Sequence, residues 1–116
     1  LPESLCARLV PRYLQPAGDL YAVRPAIRRL VTFIRHDLTQ PPPLARYDLI
    51  VCRNVLIYFA RESQQPVVEH LLGHLEPDGC LMLGMTEMLP LAVAGQVQAA
   101  DARHRLYRKS GLRVQP

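Results

Sequence analysis

The stretch YDLIVCRNVLIYF, residues 47–59, decides how this chain is read. Leu49 to Cys52 form a continuous apolar run, the pattern of a β-strand covered by helices on both faces. Arg53 and Asn54 follow at the point where burial should end. A guanidinium and a carboxamide at the mouth of a buried strand make sense if they line a crevice. In open α/β sheets ligands bind beyond the carboxyl ends of the strands.

Downstream, Ser63 is the expected N-cap of a helix running to Leu75, with Val67, Val68, Leu71, Leu72 and Leu75 as its apolar stripe. Pro66 then falls in the first turn, where its missing N–H is not needed. EPDG (76–79) reads as a tight turn with Gly79 as the flexible residue. CLMLGM (80–85) reads as a second buried strand, and HRLYRK (104–109) as the last strand after a short helical or irregular stretch. Upstream, LVTFIRHDL (30–38) is β-branched and aromatic and reads as a strand ending near His36 and Asp37. QPPP (40–43) is a loop. Leu5 to Val10 finish a helix that Pro11 stops. RYL and LYAV flank QPAGD as two short strands joined by a turn, and Pro25 opens a short helical piece through Arg29. Strand and helix alternate as in an α/β sheet with right-handed crossovers. One rim of that sheet collects Asp37, Arg53, Asn54, Thr86 and Glu87.

Composition narrows the class. The 116 residues suffice for one domain, and 49% hydrophobic against 21% charged residues is ordinary for a globular protein. No apolar run approaches the roughly 20 residues that cross a bilayer. LPESLCARL lacks the basic start and apolar block of a signal peptide. Three cysteines, Cys6, Cys52 and Cys80, form no CxxC pair and read as reduced, buried thiols in a cytoplasmic protein. The net charge of +4 is scattered, with Arg24, Arg28, Arg29 and Arg35 loosely clustered. It reads as a solvated basic face, the alternative being a docking patch for an acidic protein or nucleic acid. His70 and His74 have a metal-binding spacing but no third ligand nearby, so no metal is expected.

The run RYL…LYAV…VTFIRHDL…YDLIVCRNVLIYF…LEPDGCLMLGMTE…LYRK resembles the CheR-type methyltransferases, which methylate chemotaxis receptors using S-adenosylmethionine. CRNVLIYF is its most specific piece. The resemblance implies a Rossmann-like methyltransferase sheet with the strand order 3-2-1-4-5-7-6, of which this chain holds strands 3 to 7. Residues 12–23 would be the small β-subdomain and 30–116 the C-terminal part of the sheet, all within a partial domain, 1–116. Neither the family's N-terminal helical domain nor its glycine-bearing cofactor loop is found here: Gly18, Gly73, Gly79 and Gly84 stand alone. The 116 residues therefore read as a fragment of a longer protein. VTFIRH would be two strands away from DLIVC, so a fragment folding alone must rearrange, exchange strands with another copy or rely on other residues.

The resemblance also implies site roles. Asp37 and the Leu38 amide would contact the adenine, and Arg53 and Asn54 the amino-acid end of the cofactor and the reaction centre. Arg53 and Tyr58 would be the catalytic pair, with Tyr58 nearest the transferring methyl, walling off water and hydrogen-bonding the substrate carboxylate. Plainer roles stand beside each: Asp37 capping a loop, Arg53 in an ion pair, Asn54 capping a helix, Tyr58 in the core with a wet tip. Met85 stands where relatives usually have His, and Glu87 reads as tying the strand end to a backbone amide. The turn in PRYLQPAGDLYAVR is short for gripping a receptor's peptide tail and implies independence of one.

The expected function is S-adenosylmethionine-dependent O-methylation of glutamate side chains on the cytoplasmic domain of a chemotaxis receptor, in the cytoplasm, yielding S-adenosylhomocysteine. The fragment alone is expected to be inactive. The alternative is a non-catalytic module that binds a receptor or signalling partner, favoured by the lack of the glycine loop. A nucleic-acid amino-methyltransferase is disfavoured, because RNVLIY occupies the place of a D/N-P-P-F/Y run.

Overall fold

The structure is a computed structural model that describes residues 7–43 and 46–110. The chain divides between Arg35 and His36 into two units.

In the first unit, Leu14–Ala17 (β1) and Leu20–Val23 (β2) form an antiparallel hairpin with Ala17 opposite Leu20. Its loop is two residues long, and Gly18 takes φ +63°. Primed hairpin turns need that left-handed geometry, which glycine adopts without a Cβ clash. The strand expected from Arg12 starts only at Leu14, because Leu9–Tyr13 is a short helix (α1) that includes Pro11 instead of stopping there. Pro11 is its third residue, where no intrahelical N–H is due. Leu5 and Cys6, the start of the helix read from sequence, lie outside the described residues. Pro25–Arg28 is a one-turn helix (α2) with Pro25 in its first position, as its fixed φ favours.

The strand expected over VTFIRH does not form: Val31 to Asp37 pair with no strand among the described residues and carry no regular structure. Phe33 is 94% exposed, and Leu30, Val31 and Ile34 are also open to solvent. A strand is stable only when a neighbour takes its backbone N–H and C=O groups. No strand among the described residues takes that place.

The second unit holds a four-stranded sheet. Tyr47–Cys52 (β3) and Leu75–Leu83 (β4) run parallel, connected by the helix Arg61–Gly73 (α3). Leu106–Lys109 (β6) lies antiparallel to β4, and Val97–Asp101 (β5) antiparallel to β6. The order β3-β4-β6-β5 reproduces the 4-5-7-6 portion of the expected Rossmann-like α/β sheet. β5 went unrecognised in the sequence, since VQAAD offers no alternation of apolar residues.

The apolar stripe of α3 packs as read. Val67, Val68, Leu71 and Leu72 are buried, together with Leu75, Leu81, Leu83 and Val93. Each such side chain contributes about 1.5–3 kcal/mol by leaving water. The helix starts earlier than Ser63, however. Ala60 is the cap residue and makes no side-chain capping bond, so nothing in its chemistry marks the start. Gln64 Nε2 instead donates to the carbonyls of Leu56 (2.9 Å) and Phe59 (3.3 Å), satisfying the turn before the helix. Pro66 is thereby the sixth helical residue rather than the third, and an interior proline removes one helix hydrogen bond. The helix ends at Gly73, and Leu75 belongs to β4.

EPDG is not a free turn but an irregular stretch inside β4, where the pairing jumps from Tyr47 opposite Leu75 to Leu49 opposite Cys80. The left-handed residue is Asp78, at φ +66°, not Gly79. Gly79 is needed for space: a Cβ there would lie 2.8 Å from the Glu76 carbonyl oxygen and 3.2 Å from those of Tyr47 and Asp48.

DLIVC is covered on one face only. Ile50 and Cys52 turn inward, while Leu49 and Val51 are more than half exposed (55% and 56%). β3 is an edge strand of this sheet, and no described element of this unit covers its Leu49–Val51 face. Of the three thiols, Cys52 is buried and Cys80 half-buried, both reduced; Cys6 lies outside the described residues.

Candidate functional site at the strand ends

The parallel strands β3 and β4 end side by side, with Cys52 paired to Leu83. A single side chain holds the backbone just beyond both ends. Glu87 is the one buried charged residue among the described residues, 3% exposed. Its Oε1 accepts hydrogen bonds from the Gly84 (2.7 Å) and Asn54 (2.8 Å) amides, and its Oε2 from those of Leu56 (2.8 Å) and Val55 (3.0 Å). Burial pushes this carboxyl up, but the four N–H donors outweigh it and hold the pKa below its ordinary value. Asn54 sits at φ +60°, a conformation asparagine tolerates better than most residues. Gly84 makes the approach possible. A Cβ there would lie 2.5 Å from Asn54 Oδ1 and 2.7 Å from Glu87 Oε1.

This arrangement directs the side chains at the end of β3. Leu56 enters the core (1% exposed) at the start of a 3-10 turn, Leu56–Tyr58. Arg53 and Asn54 are exposed, and Tyr58, at 82% exposure, lies outside the core altogether. Arg53 forms no ion pair among the described residues. The bland alternatives of a paired arginine and a core tyrosine therefore do not describe the structure. Asn54 is likewise no helix cap, since α3 begins at Arg61.

Asp37 behaves more as its plainer role would have it. Its Oδ1 accepts from the Thr39 amide (2.9 Å) and hydroxyl (2.8 Å), and these bonds hold its carboxyl below the ordinary range. Gln40 N–H to the Asp37 carbonyl (2.9 Å) closes the same turn. Asp37 is nevertheless exposed, with Oδ2 open to a further donor. Leu38 is half-buried against the core. No hydrogen bond joins Asp37 or Leu38 to Arg53, Asn54 or Tyr58 among the described residues: the first two lie on a separate turn, and the last three follow β3 within six residues of one another in the sequence.

Beside Ile57 opens a groove of about 680 Å³ between the start of α3 and residues 86–92. Its walls include Ile57, Arg61, Gln65, Thr86, Met88 and Leu91. None of Asp37, Arg53, Asn54 and Tyr58 lines it. The sequence reading missed this groove, which depends on where α3 begins. It also missed the role of Gly84, although a glycine directly after β4 and three residues before a glutamate was the available signal. His74 Nδ1 lies 3.0 Å from the His70 carbonyl oxygen. Among the described residues no three His, Cys, Asp or Glu side chains converge as metal ligands.

Comparison with known proteins gives this geometry a family. Residues 2–106 match the family model described as CheR methyltransferase, SAM binding domain. The chain is 35% identical, over its whole length, to an uncharacterized 104.1 kDa protein in the hypE 3′ region of Rhodobacter capsulatus, covering 13% of it. It is 35% identical over 77% of its length to the chemotaxis protein methyltransferase Cher2 of Pseudomonas putida, covering 33% of that protein. It is 40% identical over 75% of its length to chemotaxis protein methyltransferase 1 of Pseudomonas aeruginosa, covering 32%. The chain thus spans a third or less of these relatives. A domain of this kind binds S-adenosylmethionine, and groups that suit part of it stand exposed: the Asn54 carboxamide beyond β3 and, on a separate turn, a carboxylate oxygen of Asp37.

Proposed function

Because the chain belongs to the CheR methyltransferase family, we propose that it is part of an enzyme that methylates glutamate side chains on the cytoplasmic domain of chemotaxis receptors. The observation that carries this reading is the exposed trio Arg53, Asn54 and Tyr58 at the carboxyl end of β3, set by a backbone that Glu87 holds in place. Little acid–base chemistry is required of them. A glutamate with a pKa near ~4.3 is already a nucleophile at neutral pH. When bound, S-adenosylmethionine supplies an electrophilic methyl on a cationic sulfur. The acceptor oxygen would take that methyl while the sulfur kept the bonding electrons, so that both charges would be neutralised. The residues have only to align the partners and keep water out.

In this reading Asn54 holds the amino-acid end of the cofactor, and Asp37 with the Leu38 amide holds the adenine. Arg53 attracts the acidic acceptor. Tyr58 orients its carboxylate through the hydroxyl and shields it with the ring. The enzyme works in the cytoplasm, where receptors present their methylation sites, and no helix among the described residues is long and apolar enough to cross a membrane. The two-residue hairpin loop favours a member that does not depend on a receptor's peptide tail.

The test is transfer of radiolabelled methyl from S-adenosylmethionine to receptor cytoplasmic fragments, made with the protein in its complete natural sequence. Tyr58→Phe keeps the ring and loses the hydroxyl, and its rate should drop by about 10- to 100-fold, one hydrogen bond to a charged group being worth about 1.5–3 kcal/mol. A second reading, a non-catalytic module that binds receptors, rests on the lack of a glycine-rich cofactor loop in these residues. Absence of transfer by the complete protein, with receptor binding intact, would leave that reading standing.

A further inference from the structure

Among the described residues Glu87 forms no ion pair, which is unusual for a buried carboxylate. Its charge is met by four backbone amides, and they come from two different strand ends: Gly84 after β4, and Asn54, Val55 and Leu56 after β3. Each oxygen takes two donors. Oε1 bridges the strands by binding Gly84 and Asn54 together, and Oε2 gathers the next two amides of the β3 end. An isolated buried charge is costly, whereas one that accepts several N–H bonds is held firmly in a single geometry. The amides so gathered belong to the turn that begins with Asn54 at φ +60°, a left-handed backbone whose N–H the carboxylate holds. Asn54 Oδ1 fills the space that Gly84 leaves by lacking a side chain.

We propose that Glu87 is a positioning residue for methyl transfer: it locks the Asn54–Leu56 backbone before the cofactor arrives and so fixes the directions of the Asn54, Arg53 and Tyr58 side chains. It touches neither cofactor nor acceptor. This inference rests on the proposed role of Asn54 at S-adenosylmethionine.

The chemistry of the staple says which substitutions break it. Glu87→Gln preserves shape but replaces one acceptor oxygen with an NH₂ donor. That donor faces either the Gly84 and Asn54 amides or the Val55 and Leu56 amides, so two of the four bonds are lost whichever way the amide turns. Glu87→Asp keeps the charge but is one methylene short of spanning both strand ends.

The experiment is calorimetric titration of S-adenosylhomocysteine into the complete protein and its Glu87→Gln variant, with the binding stoichiometry reporting the folded fraction. Leu81→Ala, a core substitution that removes none of the four bonds to Glu87, serves as the comparison for lost stability alone. Glu87→Gln should weaken Kd by about tenfold or more per folded molecule, while Leu81→Ala leaves Kd unchanged; Glu87→Asp should also weaken it. Equal Kd for Glu87→Gln and the parent overturns the inference. If the parent itself binds no S-adenosylhomocysteine, the proposed function fails and takes this inference with it. Hydrogen exchange on the unsubstituted protein is independent of how the variants fold. The Asn54, Val55 and Leu56 amides should be protected to the same degree with and without ligand. Protection that appears only on ligand binding refutes prior locking by Glu87.

Discussion

Replacing Gly84 with alanine examines the junction of β3 and β4 without touching any charge. The new Cβ would lie 2.5 Å from Asn54 Oδ1, 2.7 Å from Glu87 Oε1 and 3.0 Å from the Asn54 nitrogen. The Asn54 side chain can rotate aside. The other two atoms cannot, because the Asn54 N–H and Glu87 Oε1 are bonded to each other at 2.8 Å. Either the overlap is tolerated, at about 1–3 kcal/mol for an overpacked site, or the strand ends separate. Separation forfeits the Gly84 N–H bond to the carboxylate, a loss of about 1.5–3 kcal/mol. These are alternatives and do not add, so the variant should lose about 2–3 kcal/mol. For a unit of this size that lowers Tm by roughly 10–20 °C. Thermal and urea unfolding followed by circular dichroism read the change. Gly73→Ala is the matched comparison: its Cβ would meet nothing within 4 Å, and alanine in a helix should add about 0.5–1 kcal/mol. A Gly84→Ala protein within about 0.5 kcal/mol of the parent would show that the close approach of Gly84, Asn54 and Glu87 is not a feature of the molecule.

Other outcomes rest on the same contacts. Leu81 is fully buried and flanked in the sheet by Ile50 and Tyr107, so Leu81→Ala should cost about 2–5 kcal/mol in urea unfolding. Cys52 should alkylate at least about tenfold more slowly than half-buried Cys80, read site by site by mass spectrometry. Burial first, and then the negative charge of Glu87, push the Cys52 thiol up and away from the reactive thiolate. Glu87 should contribute to acid unfolding, because its folded-state pKa lies below the unfolded one. The stabilisation is complete above the unfolded value, about 4.3, and disappears as pH falls through the folded value. Stability of Glu87→Gln, lower at neutral pH, should therefore approach that of the parent in acid, and parallel curves would refute the assignment.

Much of the second unit was legible in local pattern. The α3 stripe buries the residues its spacing marked, CLML and LYRK are strands, and QPAGD turns the hairpin at Gly18. CRN was recognisable as the end of a strand, because a polar pair after a β-branched run marks where burial stops. Glu87 was recognised as a tie to backbone amides, though not as one binding four of them.

What local pattern left open depends on partners distant in the chain. VTFIRH has every property of a strand except a neighbour, and without one its backbone groups stay in water. LIVC has the apolar run of a strand buried on both faces, yet β3 occupies an edge and only its Ile50–Cys52 side meets the core. The start of α3 at Arg61, the left-handed Asp78 and the conversion of EPDG from a turn into part of β4 go with contacts to Leu56, Phe59, Tyr47 and Asp48. Side-chain periodicity records which face of an element prefers to leave water. Whether something is there to cover that face, and which amides a carboxylate can reach across two strand ends, is decided by the assembled sheet.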